Sequence, residues 1–389
     1  MQNNALASNQ APPILQFGTS RFLLAHVDLF VSQALDRGDA GQALGRIRVV
    51  QSTGNPASTK RVAALAQGNS YPVRLRGLLH GQEIDHTVVC HGVAQAWQAD
   101  ADWPRLRSAM ADEVRLIVSN TADRGYQLDA RDGPGMLGDG MPAPHSFPAK
   151  LLVLLHHRWS RVPGVPLSLF PCELIERNGD TLRALVVGLG RDWNLPEAFG
   201  QWLREHCVWA NSLVDRIVSE AIEPVGAVAE PYALWAIEKQ DRLVLPCVHE
   251  NIVLTTDLPR YERLKLFLLN AGHSYLAERW LADGRAADET VVQALHDPGL
   301  RAELEALWAE EISPVLDALG YRDAVRDYLV ELRERLLNPF LVHRLAEIAQ
   351  NHAQKKQRRF APLIALAAEH GLVLPQPRLR AALDTQAAR

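Results

Sequence analysis

The sequence predicts an α/β protein, with a parallel-sheet domain first and a mainly α-helical domain after it. Three observations carry that prediction. Short apolar runs of strand character alternate with helical runs from residue 14 to about residue 170. The first of those runs passes through a glycine turn straight into a helix, and beyond Arg260 every apolar pattern is helical. At 389 residues the chain has the length of about two domains, and 47% hydrophobic with 22% charged residues is a globular composition. Alternating strands and helices build a parallel α/β domain with ligand chemistry at the carboxyl ends of its strands, placed at residues 12–204, and the helices a second domain at 205–389.

Residues 14–17 (ILQF) read as a buried strand that runs into Gly18-Thr19-Ser20-Arg21 and the helical run FLLAHVDLFVSQAL. Residues 47–50 form the second strand, and 75–79 and 87–89 flank the hairpin signal His80-Gly81. Residues 114–118 end at the polar turn Ser119-Asn120-Thr121, and 167–170 end at Pro171-Cys172-Glu173. From Thr181 the pattern turns helical, through Leu189, then 196–206 and 213–222. Residues 243–254 (LVLPCVHENIVL) are the exception, one or two strands that return to the first domain's sheet. Breaks at Gly284, Pro298-Gly299, Gly320, Asn338-Pro339 and Gly371 divide the remaining helices.

Forty-one Lys and Arg against 45 Asp and Glu give a net charge of -4. No overall positive field draws in nucleic acid or an anionic membrane, so an anionic substrate must meet local cations. Four scattered cysteines, Cys90, Cys172, Cys207 and Cys247, form no CxxC pair, which argues against both a zinc site and a disulfide framework. The N-terminus has no basic segment followed by an apolar core, and no apolar run reaches a membrane span, so a cytoplasmic protein is expected.

The first strand-to-helix turn is the natural seat of a dinucleotide pyrophosphate, because a helix N-terminus offers unpaired N–H groups and partial positive charge. Gly18 permits the tight turn, but Ser20 stands where the fingerprint's second glycine would be and no third follows. After the second strand comes Gln51-Ser52-Thr53, with neither an acid for a ribose hydroxyl nor an immediate arginine for a 2′-phosphate. NAD and NADP are both open at this position.

Only six of the 41 cations are lysines, and one of them, Lys265, lies among Leu264, Leu266 and Phe267. On an α-helix Asn270 falls roughly 140° and His273 roughly 80° from it, so the three fit on one side of the cylinder. An amine in that setting can lose its proton, which a guanidinium cannot, and this makes Lys265 a candidate general base. The same residues also suit a lysine snorkelling from an amphipathic helix, with Asn270 and His273 as satisfied polar groups at a helix crossing. Asn178-Gly179 places an amide in a cleft or forms a left-handed turn before a helix capped by Asp180. Asp215-Arg216 either orients a ligand or has separate surface partners, and Arg335 pairs with an anion or lies at the surface. The cluster KKQRR at 355–359 reads as a solvated helix face.

In this order along the chain, the segments resemble the polyol-specific long-chain dehydrogenases, the mannitol dehydrogenase family. QFGTSRF (16–22) is similar to that family's nucleotide-binding turn, VSNTADRGY (118–126) to its second cofactor loop, and PCELIERNGDTLR (171–183) to its strand-to-helix signature. NSLVDRI (211–217), the K-x4-N-x2-H pattern of Lys265, Asn270 and His273, and NPFLVHRL after Arg335 complete the series. SFPAKL (146–151) and PCELIERNGD look closest to the tagaturonate reductase (altronate oxidoreductase) branch. Departures are Ser20, a short stretch between 219 and 243, and a shortened helical C-terminus.

The resemblance implies a zinc-independent NAD(P)-dependent oxidoreductase, with NAD the expected cofactor, moving a hydride between the nicotinamide and a secondary alcohol of a mannitol-, altronate- or fructuronate-like polyol or sugar acid. It implies Lys265, Asn270 and His273 as catalytic residues, Asn178, Asp215 and Arg335 as substrate contacts, and no metal. It also implies that residues 12–204 are a Rossmann-like dinucleotide-binding domain and 205–389 the substrate and catalytic domain, with cofactor contacts from Gly18, Thr19, Ser20, Arg21, Phe22, Asn120 and Thr121, and a monomer. Two alternatives stay open: a sugar-phosphate dehydrogenase like mannitol-1-phosphate 5-dehydrogenase, drawing on Arg335 and residues 355–359, and a non-catalytic cofactor-binding relative.

Overall fold

The computed structural model of the chain describes residues 11–38, 42–68, 70–121 and 125–385. The chain divides into two compact units. One comprises Met1–Arg74, Thr87–Val228 and Ala233–Leu258; the other comprises Leu75–His86, Ala229–Tyr232 and Pro259–Arg389.

The first unit is built on a six-stranded sheet. Its strands are β1 (Ile14–Phe17), β2 (Ile47–Gln51), β5 (Val93–Gln98), β6 (Leu116–Ser119), β7 (Leu167–Pro171) and β8 (Cys207–Trp209), between which β3 (Tyr71–Leu79) and β4 (Gln82–Cys90) form a hairpin. The order is β5-β2-β1-β6-β7-β8 and every pairing is parallel, with Ile14 opposite both Ile47 and Leu116. A parallel sheet covered on both faces requires unbroken apolar strands, which is why ILQF and LIVS are buried throughout. Strand order reverses at β1 and β6, whose carboxyl ends therefore flank the crevice where such sheets bind ligands.

The rest of the strands are β9 (Ser212–Asp215), β10 (Val218–Ala221), β11 (Ala227–Ala229), β12 (Leu234–Glu238) and β13 (Ile252–Thr255). They form two smaller sheets, ordered β10-β11-β3-β4 and β13-β12-β9. Residues 213–222, expected to be helical, are instead β9 and β10, because β9 gains an antiparallel partner in β12. Only Ile252–Thr255 of the expected 243–254 strands forms, and it pairs with β12 rather than joining the six-stranded sheet. Pro246 has no N–H for a ladder, and its carbonyl accepts from the Leu44 amide at 2.8 Å. With residues 207–255 spent on strands, the change of unit falls at Leu258 rather than at 204.

A titrating group lies inside the first unit. Asp28, on the helix Val27–Asp36, is fully buried, with the Tyr71 hydroxyl donating to it at 3.4 Å. Burial outweighs hydrogen bonds from Gln16 and Tyr71 and lifts its carboxyl from 3.8 to about 7. Between those values the folded protein keeps a proton that the unfolded chain releases, so this contribution to stability is lost as pH rises through the window. Melting temperatures taken from about pH 5 to 8 should fall for the wild type relative to Asp28→Asn; parallel curves would show that Asp28 does not titrate there.

The second unit is helical. Its core gathers Leu268, Leu276, Leu304, Trp308, Leu316, Leu332, Phe360 and Leu363. Two of its helices are wound as π-helix over one stretch each, Lys265–Asn270 and Leu307–Ile312. Gly272 and Trp308 pack these stretches together: a Cβ on Gly272 would lie 3.3 Å from the indole, whose N–H donates to the Leu268 carbonyl at 3.1 Å.

Candidate active site

At the carboxyl end of β1 the backbone of Gly18 takes φ +118°, and its amide donates to the Val50 carbonyl at 3.0 Å. An added Cβ would stand 2.5 Å from the Asn120 carbonyl oxygen, so only glycine brings the β1 and β6 ends this close. Ser20, where a second glycine was expected, caps the one-turn helix Arg21–Leu24 by accepting from the Leu23 amide at 3.3 Å. Its hydroxyl takes up one of the free N–H groups that a glycine would leave to a ligand. Thr19 is buried and its carbonyl accepts from the Arg61 guanidinium, while Arg21 is exposed and Phe22 stacks on His26 at 4.8 Å. The donor set and the glycine-only contact fit a dinucleotide at this turn.

The second loop is held by a carboxylate that sequence reasoning did not single out. Glu173 is buried and accepts from Ser119 Oγ at 3.0 Å, from the Thr121 amide at 3.0 Å and hydroxyl at 2.9 Å, and from the Tyr126 hydroxyl at 3.3 Å. Burial raises its pKa against these hydrogen bonds. Asn120 donates its amide to the Phe17 carbonyl at 3.0 Å and its side chain to the Cys172 carbonyl at 2.9 Å. The ends of β1, β6 and β7 are thus tied into one frame. Residues 122–124 of the loop lie outside the described residues.

In the second unit Lys265 opens the π-wound stretch and Asn270 closes it. Bonds from i to i+5 put residues five apart where an α-helix puts residues four apart, so Lys265 and Asn270 come onto one side more closely than 140°. His273 follows three residues later in the α-helix Ala271–Ala282, next in line on that side. Its ring meets His343 edge-on, with centroids 4.8 Å apart and planes at 76°. His343, an unforeseen neighbour, has its pKa lowered by burial.

Residues 12–245 match the family model described as the mannitol dehydrogenase Rossmann domain, and residues 257–382 match the mannitol dehydrogenase C-terminal domain. The chain belongs to the mannitol dehydrogenase family. Altronate oxidoreductases of Halalkalibacterium halodurans and Bacillus subtilis are 30% identical over 377 and 388 residues, covering 91% and 93% of this chain and 71% and 76% of theirs. Among solved structures, a substrate-free D-sorbitol dehydrogenase superposes with TM-score 0.78 at 20% identity, over 97% of this chain and 80% of its own. The Pseudomonas fluorescens mannitol 2-dehydrogenase, solved with NAD and D-mannitol, gives 0.73 at 18%, over 97% and 79%. These two share the fold. As a member of the mannitol dehydrogenase family the chain is an oxidoreductase acting on a secondary alcohol.

Other expected site residues of this mannitol dehydrogenase relative are buried in the scaffold. Asn178 is buried at the start of the helix Asn178–Asp192, with the left-handed φ at Arg177 rather than at Asn178. Its amide nitrogen donates to the carbonyls of Pro171, Glu173 and Ser212 at 2.9 to 3.1 Å, and its oxygen accepts from the Gly179 and Ser212 amides at 3.0 Å. Every hydrogen-bonding position of that amide is used, so it locks the strand-to-helix corner and has no donor for an alkoxide. Asp180 does not cap; it accepts from Asn211 Nδ2 at 3.1 Å. Asp215 ends β9, buried, opposite Leu234, and Arg216 beside it donates to the Ala25 carbonyl at 2.7 Å.

Arg335, also buried, holds Glu230 with two nitrogens at 3.0 and 2.9 Å and lies 4.0 Å over the Tyr232 ring. KKQRR is not a solvated face. Lys356 is buried, 2.8 Å from Glu278 Oε2, and Lys355 donates to the Ile348 carbonyl at 2.8 Å, while only Gln357 and Arg358 face solvent.

Proposed function

We propose that the protein is an NAD-dependent dehydrogenase that interconverts a sugar acid of the altronate type and the corresponding keto acid. The observation that carries the reading is the π turn, which aligns Lys265, Asn270 and His273 in a chain of the mannitol dehydrogenase family related to altronate oxidoreductases. NAD supplies the hydride acceptor when bound, and Gly18, Thr19, Ser20 and the Asn120–Thr121 loop would hold it. Lys265, as the neutral amine, takes the proton of the substrate hydroxyl in oxidation and returns it in reduction. The Asn270 amide donates to the oxygen as its negative charge grows, where a preorganised donor has most effect. His273 binds a neighbouring hydroxyl, with His343 holding its ring edge-on. Asp215 is a substrate contact, while Arg335 is paired with Glu230.

A sugar-phosphate substrate is disfavoured, because the cations that would have to bind the phosphate are already engaged. Arg335 holds Glu230, Lys356 holds Glu278, and Arg359 donates to the Asn270 carbonyl and to Ser274. Purified protein assayed against polyols and aldonates with NAD and NADP, and against ketouronates with NADH and NADPH, should turn over an aldonate with NAD or a ketouronate with NADH fastest. A fastest rate with mannitol 1-phosphate would replace this reading by the phosphate one. The chain is taken to work as a cytoplasmic monomer, which size-exclusion chromatography with light scattering tests. Among the described residues no helix is long and apolar enough to cross a membrane.

A further inference from the structure

The helix His352–Arg359 docks through a row of polar contacts. His352 Nε2 and Lys356 Nζ both meet Glu278 Oε2 at 2.8 Å, and Lys356 also donates to the Thr385 carbonyl at 2.9 Å. One turn further on, a single guanidinium nitrogen of Arg359 lies 3.0 Å from the Asn270 carbonyl oxygen and 2.8 Å from Ser274 Oγ. Residues 352, 356 and 359 share one helix face, and 278, 274 and 270 share one face of the facing helix, so the two run antiparallel, rung against rung. Two rungs fall on regular α-helix. The last reaches the closing residue of the π turn.

That position has a physical consequence. A π turn is rare and occurs as a single turn within an α-helix, so side-chain donors seated on its carbonyls bear on whether it keeps that winding. In this turn the Leu268 carbonyl receives the Trp308 indole N–H at 3.1 Å, and the Asn270 carbonyl receives Arg359. The indole is a neutral donor inside the apolar core. Arg359 is a charged one, and hydrogen bonds from charged donors are among the stronger kind. Relaxing the turn to α-helix would move Asn270 and swing Lys265 away from it around the axis.

We infer that Arg359 is a positioning residue, whose guanidinium, seated on the Asn270 carbonyl and the Ser274 hydroxyl, holds residues 265–270 in the π winding that aligns Lys265 with Asn270. Only the kinetic part of its test rests on the dehydrogenase reading.

Amide hydrogen exchange followed by mass spectrometry reads the turn directly, with the exposed neighbour Arg358 as comparison. In Arg359→Ala, peptides spanning 265–275 should exchange about tenfold faster, the factor expected for losing one charged-donor hydrogen bond, while Arg358→Ala matches wild type. Arg359→Lys keeps a charge within reach and should fall between, which preserves the test if the alanine variant folds poorly. With the best substrate, kcat should drop about tenfold in Arg359→Ala with KM for NADH unchanged, and added guanidinium ion should restore part of it. Exchange in 265–275 within twofold of wild type would overturn the inference. So would faster exchange spread evenly over residues 259–385 with kcat falling only as the folded fraction falls. If the wild type turned over nothing, the exchange result would still decide the role of Arg359, and only the proposed function would fail.

Discussion

Lys265→Ala should lower kcat by roughly 10²- to 10⁴-fold, the range for a general acid or base, with NADH binding essentially unchanged. The expectation rests on two separate features. Lys265 opens the π turn and is only partly buried, and alanine, the best helix former, should leave the turn's backbone in place. The proposed cofactor turn belongs to the other compact unit, built on β1, β2 and β6. Steady-state kinetics in both directions, alongside a fluorescence titration with NADH, separate the two effects. A variant keeping more than a tenth of wild-type kcat would remove Lys265 from the proton-transfer role. Loss of NADH binding along with activity would point to a folding defect instead.

Gly18→Ala should have the second large effect, on the cofactor rather than the chemistry. The backbone at Gly18 sits at φ +118°, where an L side chain is strained, and a Cβ there would press to 2.5 Å on the Asn120 carbonyl and 3.2 Å on Leu23. Asn120 has little freedom to give way, since its amide bonds the Phe17 carbonyl and its side chain bonds the Cys172 carbonyl. The strain is therefore expected to open the turn between β1 and β6, at a cost of about 2–4 kcal/mol in stability. The NADH dissociation constant should rise about tenfold or more, because pyrophosphate binding depends on amides aimed by that backbone. Calorimetric titration and thermal unfolding check both parts, and a variant that binds NADH as wild type does would show that the cofactor sits elsewhere.

What could be read from the residues depended on how local their cause was. Ile14–Phe17 forms as predicted, because a doubly covered parallel strand needs an apolar residue at every position and ILQF nearly supplies it. Val93–Gln98, with alternating small and polar residues, carried no such run and went unnoticed, although it closes one edge of the main sheet. Residues 213–222 were misread as helix because their strand character is decided by partners outside the segment, Leu234–Glu238 for β9 and Ala227–Ala229 for β10. Within the candidate site, residue type marked Gly18 and spacing grouped Lys265, Asn270 and His273 on one side of a helix, while their roles came from the family resemblance. The π winding was not legible, since spacing at 100° per residue carries no sign of an extra residue in the turn. Glu173 and Lys356 were hidden for a different reason: the hydroxyls that bond Glu173 lie 47 to 54 positions away and the carboxylate that holds Lys356 lies 78 away, and a charge whose partners are remote in sequence looks like a surface charge.

A π turn is an α-helix that has taken in one residue more than its length requires. Insertions and deletions are usually absorbed by loops, and the stretches around Gly284 and Gly320 in this chain have room for them. Between Lys265 and Asn270 a single-residue deletion would act differently. It would leave a helix of regular winding with the turns on either side still in phase, because residues four apart in that helix stand where residues five apart stand in the π turn. Among relatives of this chain, then, a one-residue difference in length is expected to fall within these six positions without turning the rest of the helix.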